Sequence, residues 1–349
     1  MIALSEVLMN HIENKAIRDQ IYFERYKNGE ANKVVELLDS SNRELAKYVK
    51  QTTDVATKKR YVEIARKLRD VSKTLRNKVE SGTDIDGLID YELKRQKSLL
   101  KSIVPEIKRT AGGEVNFLYP TREQIKTAAL FRPADTKSSL TFQSYLDGIE
   151  SGLYNNWDSA VRTGYITGIP TTDIVDYVVG KASKPGAISS LKNSVYSNTR
   201  TMLQSFANET RNRIYEENEQ YFGGKSEYKY EYLATLDART CIVCGDMDGK
   251  LFRTLKDCPI LPMHRGCRCI VVPYFDIDEE TRASKNGQVD SRIKFSDWLS
   301  EQDEKTQAEV LGKSKFVMYK RGVKISQFVD SGKVLSLKEL SSFANLLGK

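Results

Sequence analysis

The chain has 349 residues, 40% hydrophobic and 29% charged, with 55 Lys and Arg against 47 Asp and Glu for a net charge of +8. That apolar fraction is ample for packed cores and excludes disorder along the whole chain; at roughly 150 residues per domain, the length suggests about two domains or one core with extensions. The longest apolar run, Cys269 to Phe275, is far short of the ~20 residues of a membrane span, and Glu6, His11 and Glu13 interrupt the first apolar stretch, so a soluble, cytoplasmic chain without a secretory leader is expected.

Residues 3–27 and 31–50 read as helical. Tyr61, Ile64, Leu68, Val71, Leu75 and Val79 then recur at steps of three and four, one apolar stripe of a helix. After the break at Ser81 to Asp84, a second stripe runs through Ile89, Leu93, Gln96, Leu100, Ile103 and Ile107. Asp84 caps this helix, Ala111-Gly112-Gly113 ends it, and Pro105 is expected to kink or shorten its last turn. Two striped helices joined by a short turn predict an antiparallel hairpin. Within it, Gln96 reads as half-exposed rather than as a register-setting polar residue. Between Lys58 and Lys78 nine basic residues accompany two acids. The stripe takes the other face, so Lys59, Arg66, Arg69, Lys73 and Arg76 are expected to point outward and to meet double-stranded DNA through its phosphates, indifferent to sequence. An ordinary solvated face is the alternative.

From Thr121 shorter helices follow. Ser138 to Thr167 reads as one, closed by Gly168 and Pro170, and Thr171 to Gly180 as another. Lys184-Pro185-Gly186 is a turn signal, and a long helix starts at Ser189 or Ser190 and runs through Tyr221 with Val195, Met202 and Phe206 inward. This block reads as an ordinary packed core without chemistry. At Glu227 the pattern turns to strand, with Tyr228, Tyr230 and Tyr232 alternating with Lys229 and Glu231. Asp248-Gly249 predicts a small hairpin leading into Lys250 to Arg253, and Ile270-Val271-Val272 a second strand stopped by Pro273. Residues 276–291 read as a flexible polar link, followed by a tail with a strand-like Phe316 to Tyr319 and a helix from Leu337. The expected class is mainly α with a small α+β part: an N-terminal helical hairpin region (1–115), a helical core (116–226), a Cys/His-rich β module (227–275) and a mixed C-terminal extension (276–349).

All five cysteines (Cys241, Cys244, Cys258, Cys267 and Cys269) fall within 29 consecutive residues, together with His264, one of only two histidines. An odd number of clustered thiols without an export signal argues against a disulfide framework and for a metal site. Cys241-x-x-Cys244-Gly245 lets two thiolates grip one ion from a single turn, the glycine relaxing the backbone so that amides approach the sulfurs; His264-x-x-Cys267 is a second clamp of the same size. Two clamps on one ion make a closed tetrahedron of three sulfurs and one nitrogen, which suits one structural Zn2+ per chain, with Cys267 or Cys269 as the fourth ligand. Reduced, partly buried thiols without metal are the alternative. Cys258, beside Pro259, reads as a spare thiol. Asp237 is expected to brace the loop, and Asp246 and Asp248 to be turn residues. The β segment has too little apolar material to hold itself together, which favours a staple.

The run Tyr230-Glu231-Tyr232-Leu233-Ala234-Thr235-Leu236-Asp237-Ala238-Arg239-Thr240-Cys241-x-x-Cys244, then Asp248-Gly249, Pro262-x-His264-x-x-Cys267-Arg268-Cys269 and Pro273, resembles the bacteriophage head-morphogenesis family, the Mu F-like minor head proteins. The helix Arg200 to Tyr221 and the segment from Trp298-Leu299-x-x-Gln302 to Leu311-Gly312 are similar to that family too. The resemblance covers residues 120–315 and is strongest in 230–273; the N-terminal helices carry none of its motifs, and Cys258 and Met263 depart from it. It implies a non-enzymatic minor capsid protein, encoded beside the portal, that associates with the portal and with capsid or scaffold proteins during assembly in the bacterial cytoplasm. Inside the phage head it would act on packaged DNA or its delivery. A nuclease or toxin using the Cys/His/Asp segment is the alternative from another class. It lacks a His pair for acid–base work, a phosphate-cradling Gly loop and a carboxylate set at two-metal spacing. A zinc-ribbon transcription factor would explain the cysteines but not the long helices.

Overall fold

Helices dominate. The computed structural model describes residues 3–52, 57–111, 113–224, 226–275, 282–284, 287–289 and 293–340, and with 68% helix and 7% strand it is mainly α with a small α+β part. The first helix, α1 (Ala3–Gln51), runs unbroken through Gly29 where the sequence suggested two segments. An interior glycine costs about 1 kcal/mol, whereas each buried Leu, Val or Phe returns about 2 kcal/mol. Phe23, Val34, Leu38, Leu45 and Val49 are buried on both sides of Gly29, so packing carries the helix across it.

The two striped helices form as expected, α2 (Lys58–Gly82) and α3 (Ile85–Ala111), with Asp84 Oδ1 accepting the Gly87 N–H at 2.8 Å. Helix α3 continues through Pro105. Every α2 stripe residue from Ile64 to Val79 is buried, and Tyr61 stacks on Tyr165. The expected hairpin is nevertheless absent: α2 packs on α1 and on α5 (Phe142–Thr167), while α3 packs on α7 (Ile188–Asn218). An apolar stripe specifies that a face is covered, not by which element, and here α1 and α5 cover α2 while α7 covers α3. Polar pairs fix the α2 arrangement: Tyr61 Oη donates to Asp158 at 3.1 Å, and Lys67 meets Glu44 at 2.6 Å.

Helices α4 (Arg122–Phe131) and α6 (Thr171–Val179) complete the body, and strands β1 (Gly180–Lys181) and β2 (Lys184–Pro185) make a tight ladder before α7. Helix α5 starts at Phe142, behind its Thr141 cap and four residues later than Ser138 suggested, and ends at left-handed Gly168. The α7 helix is the axis of the molecule. Val195, Met202 and Phe206 are buried as expected, but so are Gln204, Asn208, Glu209 and Arg211, a stretch covered on all sides. Buried polar groups require partners. Arg211 Nε meets Glu92 at 2.6 Å, Tyr215 Oη donates to Gln96 at 2.9 Å, and Gln204 Oε1 accepts from Lys27 at 2.5 Å and Gln20 at 2.7 Å. Gln96 is therefore buried in a hydrogen-bond network, not half-exposed.

The small sheet has the order β4-β3-β5, all antiparallel, from β3 (Tyr230–Leu233), β4 (Leu251–Phe252) and β5 (Ile270–Pro273). A tight turn forms at Asp248-Gly249, the Lys250 N–H donating to the Met247 carbonyl at 3.0 Å, but it joins the short helix α8 (Ile242–Met247) to β4 instead of linking two strands as a hairpin. Beyond, β6 (Arg282–Ser284) and β7 (Gly287–Val289) pair within the segment read as a link, and the rest of 276–292 lies outside the described residues. Helices α9 (Phe295–Ser300), α10 (Glu304–Leu311) and α11 (Lys313–Lys320) precede the ladder of β8 (Val329–Asp330) with β9 (Lys333–Val334). The strand-like Phe316 to Tyr319 is part of α11, since a four-residue apolar run does not distinguish strand from helix. The helix expected from Leu337 is seen as far as Leu340, and 341–349 lie outside the described residues.

Buried clusters cross the expected divisions. One joins α2, α5 and α6 to most of α1 and the first half of α7. A second joins Leu99, Leu100, Ile103 and Ile107 of α3 and Tyr215 of α7 to Tyr230, Tyr232 and the buried cysteines. A third seats Leu236 and Ile242 against Phe295, Trp298 and Phe328 of the C-terminal extension. The N-terminal region and the β module thus share a core. Among the described residues no helix is long and apolar enough to cross a membrane.

Candidate metal centre

The first clamp is set by local backbone. Cys241 is the N-cap of α8, its sulfur accepting the Cys244 N–H at 3.5 Å, so both thiols project from one helical turn. Gly245 is helical and serves another end than the sequence suggested: a Cβ there would fall 2.2 Å from Cδ1 of Phe295, so the glycine admits the ring of α9. In the second clamp the Cys267 N–H donates to the His264 carbonyl at 3.0 Å, a turn that Gly266 closes at φ +75°. Gly266 N–H in turn donates to Thr201 Oγ1 of α7 at 3.1 Å, and Thr136 Oγ1 donates to the Met263 carbonyl at 2.8 Å. These bonds key the clamp to the helical body.

The clamps converge. His264 Nε2 lies 3.2 Å from both Cys241 Sγ and Cys244 Sγ, and Cys244 Sγ lies 4.0 Å from Cys267 Sγ. Two overlapping donor triads share Cys244: Cys241, Cys244 and His264, and Cys244, Cys267 and Cys269, with donor atoms within 4.8 Å of one another in each. Cys244, Cys267 and Cys269 are buried. Metal–sulfur bonds of about 2.3 Å and metal–nitrogen bonds of about 2.0 Å make tetrahedral edges of about 3.6–3.8 Å, so 3.2 and 4.0 Å bracket the geometry of one ion. This Cys/His cluster can hold a metal ion. His264 is oriented for it, because Nδ1 faces the Arg265 carbonyl at 2.9 Å and leaves Nε2 for the sulfurs.

The thiols are already poised between charge states. Hydrogen bonding from Cys244, helped by His264 and opposed by burial, pulls Cys241 down to about 4, while Cys244 is raised as the partner that keeps the proton. The Cys241 sulfur pushes His264 up to about 9 against the effect of burial. Ligation requires thiolates and neutral imidazole, so an arriving cation displaces protons from this set. Cys258 stands apart, half-buried and donating to the Thr254 carbonyl at 3.6 Å; burial pushes it up to about 12, as suits a spare thiol.

The carboxylates nearby are braces. Asp237 takes Arg268 in a two-pronged pair at 2.5 and 2.6 Å and accepts the Arg239 N–H at 2.9 Å, the loop role expected. Asp246 pairs with Lys250. Asp248 does more than turn the chain. Buried, it accepts the Ala234 N–H at 2.7 Å and the Phe295 N–H at 2.9 Å, tying the sheet to the first turn of α9. Sequence reasoning missed this clamp, and missed Thr201 under the Gly266 turn, because neither contact is local.

The basic run on α2 is less open than its charge count implied. Lys59, Arg66 and Lys73 are exposed. Arg76, however, sits among Glu80 at 2.9 Å, Asp147 at 3.2 Å and Glu150 at 3.6 Å, and the Arg69 guanidinium lies 5.9 Å over the Tyr154 ring. The sequence count ended at Lys78 and could not see carboxylates arriving from α1 and α5. Searched against family models, curated proteins and solved structures, the chain matches none.

Proposed function

We propose that this chain is a non-enzymatic assembly protein, a phage minor head protein whose Cys/His centre holds one structural zinc ion. Cys241, Cys244 and His264 supply three ligands. Cys267 is the fourth, since it shares the His264 turn and its charge adds to the upward shift of that imidazole. Cys269 stands behind as the neighbouring thiol.

The observation that carries the reading is the closed donor set itself. More donors converge than a tetrahedral ion needs, most of them buried, whereas catalytic zinc keeps a position open for water. The carboxylates that a nuclease would use are spent on Arg268, Lys250 and backbone N–H groups. A centre that fastens a small sheet to a long helical body suits a protein built to present surfaces. The resemblance to minor head proteins supplies the partners: the phage portal, capsid or scaffold proteins, and packaged double-stranded DNA inside the head, after assembly in the bacterial cytoplasm.

Co-expression with the portal protein encoded in the same phage genome tests the assignment. Co-purification with portal or procapsids is expected, and its failure in both would contradict the reading. Multiple-turnover cleavage of linear DNA in Mg2+ would instead establish the nuclease alternative.

A further inference from the structure

The DNA reading leaves a question of place, and the α2 run is a poor answer to it. Six carboxylates stand among its cations: Glu63, Asp70 and Glu80 on the helix itself, Glu44 from α1, and Asp147 and Glu150 from α5. The outward face of α3 has the opposite character. From Lys94 to Arg109 the sequence holds six cations and one carboxylate, Glu106. Lys94, Lys97 and Lys101, at steps of three and four, share one exposed face, and none of them pairs with a carboxylate among the described residues.

Among the described residues, the acids beside this face have cationic partners. Asp90 is held by Arg122 at 2.9 Å, Glu92 is buried between Arg95 and Arg211, and Asp19 is held by Arg95 at 3.1 Å. Lys97 lies 4.9 Å over the Tyr119 ring, a contact that orients the ammonium without cancelling its charge. From α1, Lys15 reaches across to donate to Ser98 Oγ at 2.7 Å, adding a fourth cation beside the row. A groove of 600 Å³ is lined by Leu93, Lys94, Lys97, Ser98 and Lys101, with Asp90, already paired with Arg122, at its edge.

We propose that this groove, with Lys94, Lys97 and Lys101 of α3 and Lys15 of α1, is the surface on which the chain seats the phosphate backbone of duplex DNA. The inference rests on the DNA reading above and moves its location from α2 to α3. Charge complementarity decides the occupant: an uncompensated row of ammonium groups matches a uniform line of phosphates. The row from Lys94 to Lys101 is about 10 Å long, or about three phosphate steps along one strand. Lysines approach phosphates as point charges, and contacts to the backbone carry no sequence information, so binding is indifferent to sequence.

The test uses the full chain and random-sequence duplexes, with affinity followed by fluorescence anisotropy between 50 and 200 mM salt. Four neutralised phosphates give a log–log slope of about −3.6, a loss of about 150-fold over that range. Replacing Lys94, Lys97 and Lys101 together by Gln leaves one cation and a loss of about 3-fold, while replacing Lys59, Arg66 and Lys73 by Gln leaves the slope unchanged. Gln is a good helix former, and unchanged helical circular dichroism verifies the fold. If the triple variant loses helicity, the single variants replace it, each flattening the slope by about 0.9. A slope that responds only to the α2 variant overturns this location and leaves the DNA reading standing. No duplex binding by the unmodified chain overturns both. A long polyglutamate that binds tighter than the duplex at equal salt reassigns the groove to an acidic protein and overturns the proposal.

Discussion

The helical body and the Cys/His module are held by different forces. In the body, helices of 49, 25, 26 and 31 residues (α1, α2, α5 and α7) enclose Trp157 and a continuous apolar cluster. The buried pairs of α7 then fix which helix faces which. In the module, strands of four, two and four residues carry the whole sheet, and much of its interior is sulfur and tyrosine. A sheet this small is marginal by itself. The module gains from leaning on α3 and α7, but Cys241, Cys244, His264 and Cys267 sit where further apolar side chains would otherwise be needed. The difference teaches where each region will fail: the body by losing packing or a buried charge partner, the module, on the proposed function, by losing the ion that its Cys/His cluster can hold.

Four perturbations separate the two regions. The largest effect is expected from Cys241→Ser. Structural zinc contributes an apparent 10–16 kcal/mol in small metal-dependent folds, so removing one ligand should release the metal and disorder the module. Hydrogen exchange should show residues 230–273 losing protection while α2 and α5 keep theirs. Equal loss in both would mean that the regions are one cooperative unit.

Next is the converse lesion, Glu92→Ala. It leaves Arg211 buried without its 2.6 Å partner, and breaking such a pair costs about 3–5 kcal/mol. The urea midpoint should fall accordingly, while folded protein retains its full metal content. Asp248→Ala acts at the seam between the module and the C-terminal extension. Two buried N–H groups, of Ala234 and Phe295, lose their acceptor, at about 1–3 kcal/mol each. Limited proteolysis should then release residues 293–340 sooner, with metal content unchanged.

The smallest effect concerns Lys27, fully buried among Glu24, Arg200, Arg268 and Gln204 and pushed down to about 8 chiefly by burial. Its unfolded value is about 10.4, so between pH 8 and 10 the unfolded chain binds more protons and stability rises with pH. Relative to Lys27→Met, the unfolding free energy of the unmodified chain should rise by about 1.6 kcal/mol from pH 8 to pH 9.5. A flat difference would mean that Lys27 stays charged throughout the window.

The sequence made periodicity and clamp spacing legible because both are local. The stripe from Ile64 to Val79, the α5 stop at Gly168, the Ile270 strand and the Cys241/Cys244 turn all depend on neighbours within a few residues. What it hid is set by distant partners. Nothing in the α2 stripe says that α5 covers it, and nothing in Gln96 says that Tyr215 will reach it. Asp248-Gly249 carries a turn signature whether or not the aspartate is also buried against Phe295. The charge run on α2 misled for the same reason, since Asp147 and Glu150 lie far along the chain.

The central claim is that one ion closes the Cys/His module, and elemental analysis combined with thiol titration tests it most directly. Protein purified without chelator should carry about one zinc per chain, with Cys241, Cys244 and Cys267 protected from a thiol reagent until a chelator is added. No zinc, with all five thiols titrating freely in the folded protein, would contradict the account.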